Sequence, residues 1–310
     1  MASVAAPIST SERREDLLSG TPRAHAIDRW IYVFTAASFI VITLTGFIPD
    51  SLMKIEMVRT GARPPFPMVL HMHAVLMGSF LLLLFTQTWL MATGRKAPHM
   101  QLGIVGMILA VALVIVGFVL APTIYHQVWQ GAQHAPPAMR EELQGRLLWL
   151  DNILMMQLRI GLLFPLFLAI GLRARGRDAG LHKRMMILAT AIALPAAIDR
   201  ITWLPTTMPD SPLAADLYTL LAVSPMFIWD VVRNRYVHKA YWIWLGVLLP
   251  STVLVNLLWD TSWWHPTARA TLRAPACTSR RAKRSHTLRW RSQPPPAPPA
   301  PQRPNTRRPA

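Results

Sequence analysis

The run at 102–121, LGIVGMILAVALVIVGFVLA, contains no charged residue and no side chain that can hydrogen-bond. At 1.5 Å per residue it spans about 30 Å, the thickness of a bilayer's hydrocarbon core. Only a helix or a closed barrel satisfies its own backbone there, and twenty residues suit the helix. Six further apolar runs, at 30–48, 68–91, 147–172, 185–204, 213–232 and 240–258, are long enough for the same purpose. The expected fold is therefore all-α, a polytopic membrane protein with seven transmembrane helices.

Composition agrees with this reading. The 310 residues are 52% hydrophobic and 15% charged, where soluble chains carry roughly 25% charged residues. The single cysteine, Cys277, excludes a disulfide within one chain and any cysteine-rich metal site. The net charge of +17 is not evidence for nucleic acid. Eleven of the 32 Lys and Arg lie in 266–310, which has no Asp or Glu, leaving 21 basic against 15 acidic residues elsewhere. The expected partner is the lipid bilayer, not nucleic acid. A homo-oligomer or a redox partner is compatible with the sequence but not specified by it.

The loops give the orientation. Fourteen Lys and Arg fall on the N-terminal segment and on the turns near residues 95, 177 and 235, against five on the alternate loops. The positive-inside rule then places the N-terminus in the cytoplasm of a bacterial cell, with the spans in the inner membrane. Three domains follow: a polar cytoplasmic segment at 1–29, a transmembrane domain at 30–265, and a basic, Pro- and Arg-rich tail at 266–310 expected to be disordered. Three basic turns, each ending in a histidine, precede the third, fifth and seventh spans. They divide the bundle into one helix plus three helical hairpins.

Those histidines, His99, His182 and His238, lie at one expected membrane depth, and His71 and His73 open the second span on the other side. Neutral imidazole ligates metals and haem iron, so these five are candidate cofactor-binding residues, with His71 and His73 the candidate metal ligands. The competing reading is interfacial histidines bonded to backbone or headgroups. On a helix, residues two apart point about 200° from each other, so His71 and His73 share an ion only if the chain is extended there. Arg159 lies inside the fourth span, where an ionised group is costly unless paired. Asp151, Asn152, Asp199 and Arg200 are expected on the same side and, with Arg159, form the candidate polar pocket. No GxGxxG, GxxxxGK[ST], HExxH or GxSxG pattern is present, so nothing marks nucleotide binding or hydrolysis.

The pattern His71-Met72-His73-Ala74, then Gln87-x-x-Leu90 with Gly94-Arg95, His99-x-x-Leu102-Gly103, and His182-Lys183-Arg184-Met185-Met186 resembles a family of uncharacterised multi-pass bacterial inner-membrane proteins over about residues 28 to 265. The resemblance implies the membrane fold and carries no activity. The histidines at helix ends are also similar to those of di-haem b-type transmembrane cytochromes, although here the inner ones sit at turns. The functional expectation is binding of haem b or a divalent metal for membrane redox chemistry. Transport of protons or a small solute, and a non-catalytic sensor or scaffold, are the alternatives.

Overall fold

A computed structural model describes residues 16–19 and 23–272. All regular elements among these are helical. A 3-10 turn at Leu17–Ser19 precedes α1 (Ala26–Arg59), α2 (Met68–Ala92), α3 (Lys96–His134), α4 (Pro137–Ala174), α5 (Ala179–Ala191), α6 (Pro195–Ile198), α7 (Leu213–Asn234), α8 (Lys239–Leu258) and α9 (Trp264–Leu272). Seven stretches are long and apolar enough to cross a membrane, with α5 and α6 together forming the fifth. The protein is a multi-pass, all-α membrane protein. Its N-terminal face holds the start of α1 and the turns α2–α3, α4–α5 and α7–α8. The opposite face holds the other connections and α9.

The helices overrun the apolar sequence where polar residues satisfy their ends. α1 starts at Ala26 rather than Trp30 because Asp28, fully buried, accepts a hydrogen bond from the His25 N–H at 2.7 Å. This is one half of a capping box. α2 ends at Ala92, and Gly94, just past its Thr93 cap, has a φ of 75°, the left-handed conformation that closes a helix without a Cβ penalty. The fifth span ends at Ile198, not at 204. It breaks between Ala191 and Pro195, because proline has no N–H to continue the ladder.

Antiparallel pairs α2/α3 and α4/α5 form as expected from their short turns, and α3 packs on α4. The third hairpin is looser: α7 lies chiefly against α1 and α6, and α8 against α5 and α4. The core gathers Phe39, Phe167, Met185, Ile187, Leu188, Met226 and Trp244 from α1, α4, α5, α7 and α8. On α3, Ile104, Ile108, Val111 and Ile115 recur every three or four residues and are exposed, a stripe for lipid.

The expected tail needs a new boundary. Residues 266–272 belong to α9, whose Ala268 and Leu272 are buried, so the basic segment begins after Leu272. Residues 273–310, where disorder is expected, lie outside the described residues.

One close helix crossing is between α1 and α6. A Cβ on Gly46 would lie 2.1 Å from the Ala197 carbonyl oxygen. That is a backbone atom and cannot swing aside. Gly46→Ala gains about 1 kcal/mol of helix propensity, but overpacking costs typically 1–3 kcal/mol, and here the clash wins. Thermal unfolding in detergent should show a lowered Tm for Gly46→Ala and no loss for Gly78→Ala, where a Cβ meets nothing. Equal Tm values would refute the close crossing.

Candidate functional site

The charged residues inside the bundle divide into separate clusters. Arg159 of α4 makes a bidentate pair with Asp216 of α7, at 2.8 and 2.5 Å, and donates to the Thr252 hydroxyl of α8 at 3.0 Å. Both charged partners are 6% exposed. This corrects the expected pocket, since neither Asp151 nor Asp199 reaches Arg159. Asp151 and Asn152 serve α9 instead. The Asp151 carboxylate accepts from Arg269 Nε at 3.0 Å, its carbonyl accepts from Trp264 Nε1 at 2.7 Å, and His265 Nδ1 lies 3.2 Å from it. Asn152 Oδ1 accepts from the Asp260 N–H. Asp199 and Arg200 lie beyond α6, where Arg200 pairs with Asp50 at 3.4 Å and stacks on Phe47.

A second buried ion cluster occupies the N-terminal face. Arg184, fully buried, places all five of its N–H groups: Nε and Nη2 on Asp230, Nη1 and Nη2 on Asp16, and Nη1 on the Gly180 carbonyl. Asp230 also accepts from Tyr241 at 2.9 Å and Asn234 at 2.7 Å. Asn234 in turn accepts from the Leu17 N–H, tying the N-terminal segment to α7. Nearby, Asp28 accepts from Trp229 Nε1 at 2.9 Å and Arg233 Nη2 at 2.9 Å. Sequence reasoning missed Asp28, Asp216 and Asp230 as partners. The signal was available: Asp216 and Asp230 are 14 residues apart in α7, close to four turns, and so share one face.

His238 belongs to this ion cluster and not to a histidine trio. Its Nδ1 accepts from the Ala240 N–H at 3.1 Å and caps α8. Burial, reinforced by the Arg184 charge, pushes its pKa down to about 4. Gly180 makes room for the cluster, because a Cβ there would lie 2.4 Å from Asp16 Oδ2 and 3.2 Å from His238 Nε2.

His71 and His73 do not converge. α2 is already helical at Met68, so the rings diverge. His71 is exposed and packs edge-on against Phe66 at 6.1 Å. His73 is half-buried, and its Nδ1 has no hydrogen-bond partner among the described residues. Nor do three of His, Cys, Asp and Glu group as a metal site among the described residues. The paired metal ligands expected at His71 and His73 are therefore not assembled.

His99 and His182 do come together, at the N-terminal-face ends of α3 and α5, close enough for their charges to interact, and Arg175 at the end of α4 lies within reach of both. His182 Nδ1 is 2.8 Å from the Gly171 carbonyl oxygen. A carbonyl only accepts, so Nδ1 carries the proton and Nε2 keeps its lone pair. The His99 Nδ1 and the Gln87 Oε1 are buried with no partner among the described residues. Gly103 is open enough for Gln87 Nε2 and Arg175 Nη1 to lie 3.7 and 3.9 Å from where its Cβ would be. The motif residues Gln87, Gly103, His99 and His182, scattered over 96 positions of sequence, thus surround one place.

No protein-family model, curated protein or solved structure matches this chain.

Two predictions test the clusters. Breaking a buried pair by removing one partner costs about 3–5 kcal/mol, so Arg184→Gln should lower the Tm in detergent far more than Arg177→Gln, which touches an exposed turn residue. Equal losses would show that the Arg184 cluster adds no stability. His238 supplies a pH effect. Its folded pKa is below the ordinary value of 6.5, so the unfolded chain binds the extra proton first. Stability is complete above about pH 6.5 and falls as pH drops toward 4, by at most about 1.4 kcal/mol per unit. His238→Asn keeps a capping side chain and removes the titration, so its Tm should fall less between pH 6.5 and 5. Parallel curves would refute the assignment.

Proposed function

We propose that this integral membrane protein binds haem b at the N-terminal-face ends of α3 and α5, where His99 and His182 would hold the iron, for redox chemistry in the membrane. The observation that carries the reading is the arrangement of the two rings. His182 Nδ1 is anchored to the Gly171 carbonyl on α4, leaving its Nε2 for another partner, and His99 Nδ1 has no partner among the described residues. Metal-bound histidines almost always use the second nitrogen in this way, which fixes both tautomer and ring orientation.

The donor set favours haem over a bare divalent ion. A protein-only site needs three or four side-chain ligands, and no such group occurs among the described residues. A porphyrin brings four nitrogens of its own, so two histidines suffice. Arg175, exposed at the membrane edge, has the charge to pair with a propionate and would repel a free cation. Bound haem would supply reversible one-electron transfer. The protein's part is to hold the two rings, exclude lipid with the flanking helices, and keep Gln87 Oε1 available to a hydrogen-bond donor. The loop charges support a cytoplasmic location for this face in a bacterial inner membrane.

Spectra of the detergent-purified protein, oxidised and dithionite-reduced, test this. The expected result is a Soret band with a sharp reduced α-band, lost in His99→Ala and in His182→Ala and retained in His71→Ala and His73→Ala. Haem added to purified protein should restore the bands in the wild type alone among the first three. A colourless wild-type protein that does not take up added haem would sink the proposal and leave the transport or scaffold readings. Unchanged spectra in both alanine variants would place any haem elsewhere.

A further inference from the structure

The opposite face holds a carboxylate with no ion-pair or hydrogen-bond partner among the described residues. Asp199 follows α6 directly and is half-buried. The two cations nearest it are engaged elsewhere. Lys54 pairs with Asp50 at 2.6 Å, and Arg200 pairs with the same carboxylate, stacks on Phe47 at 4.6 Å and donates to the Ala196 carbonyl. Asp199 instead lines a cavity of about 230 Å³, walled by Ile201, Leu204, Pro205, Ala214 and Tyr218. A second recess continues from it past Thr206 to Leu217.

The chemistry of this cleft is specific. Among the described residues, Asp199 is the only charged group in its lining, and the remainder is aliphatic, aromatic or hydroxyl. One carboxylate neutralises one positive charge. Calcium takes six to eight oxygen ligands, and a single carboxylate beside aliphatic walls does not provide them. The walls suit alkyl groups, and the Tyr218 ring is the type of surface that attracts an ammonium. The volume equals about eight water molecules, enough for a few heavy atoms and far too small for a porphyrin. Burial also raises the Asp199 carboxyl above its ordinary pKa, with Asp50 adding to the rise and Arg200 and Lys54 opposing it. A cation that replaced the lost water would recover that cost.

We propose that the cleft between the α6–α7 connection and α7 binds a small organic ammonium ion, with Asp199 as its counter-ion and Ala214, Leu204 and Tyr218 against its alkyl part. This site is independent of the haem reading. It lies across the membrane from His99 and His182 and shares no residue with them.

Isothermal titration of the full-length protein in detergent at pH 7.5 tests it, with butylammonium chloride as probe and 1-butanol and sodium chloride as controls. The expected result is saturable butylammonium binding, at least about tenfold weaker (about 1.4 kcal/mol) for 1-butanol and in Asp199→Asn. Ala214→Phe fills the cleft without touching the carboxylate and should weaken binding similarly. Unaltered Tm values establish that both variants fold. Binding should also weaken as pH falls and Asp199 is protonated; the charged groups facing it are Asp50, Lys54 and Arg200. Absence of saturable binding to the wild type, or equal affinity in Asp199→Asn or Ala214→Phe, overturns the proposal. So does equal affinity for 1-butanol, or competition by sodium at matched concentration.

Discussion

A guanidinium cannot shed its charge inside a protein, so burying Arg184 obliges the rest of the fold to supply acceptors for five N–H groups. Asp230 of α7, Asp16 of the N-terminal segment and the Gly180 carbonyl provide them. Each of the two aspartates fixes one element against α5. Asp230 also holds Tyr241, so α8 joins the same point. Apolar packing between membrane helices has little directional preference, since lipid tails are as apolar as leucine. A saturated ion cluster has a strong one. It sets which helices meet at the N-terminal face and at what height, and the close contact at Gly180 is a consequence of it.

The same interaction orients the candidate site. His182 and Arg184 are two residues apart on α5 and so point about 200° from each other. With Arg184 turned inward to α7, His182 must turn outward, toward α4, where it meets the Gly171 carbonyl, and His99 lies within electrostatic range. The neighbouring Lys183 takes a third direction, donating to the Leu18 carbonyl and stacking over Tyr32. The run His182-Lys183-Arg184 therefore does three different things on three faces of one helix. His238 illustrates the contrast. Its Nδ1 caps α8, and its Nε2 lies beside Gly180 in the Arg184 cluster.

Much of the fold was legible because spanning a bilayer leaves few options. The seven apolar runs, the basic turns and the helical pairing of α2 with α3 follow from length and charge. Partners were less legible. Arg159 stood out as an intramembrane cation, but its acceptor is 57 positions away, and Arg184 finds Asp230 at a separation of 46. Several aspartates were available to each. Only the packing of α7 against the bundle selects one, and that packing leaves no local trace. α9 was missed for another reason. It is nine residues long and half polar, and it is helical because Trp264, His265 and Arg269 gather on Asp151. Without that docking, the segment has the composition of a tail.

The distinction that separates structure from function in this bundle is saturation, not charge. Arg184, Asp230 and Asp28 are fully buried and Asp216 is nearly so, and each has hydrogen bonds from side chains of other elements. Such groups are costly to remove and have little capacity for a ligand. His99, Gln87, His182 and Asp199 are less buried, and each retains an acceptor that the fold does not use. An unmet acceptor at a membrane face is stabilised by whatever can donate to it or coordinate with it. A search led by charge alone arrives at Arg159, which is already occupied by Asp216 and Thr252. Besides those of His73 and Asp151, unused lone pairs fall at the two faces of the α5–α6 span, on His182 where it begins and on Asp199 just past its end. Seventeen residues separate them, about 25 Å along a helix. No single small ligand can bridge that distance, so these are two sites with separate chemistry.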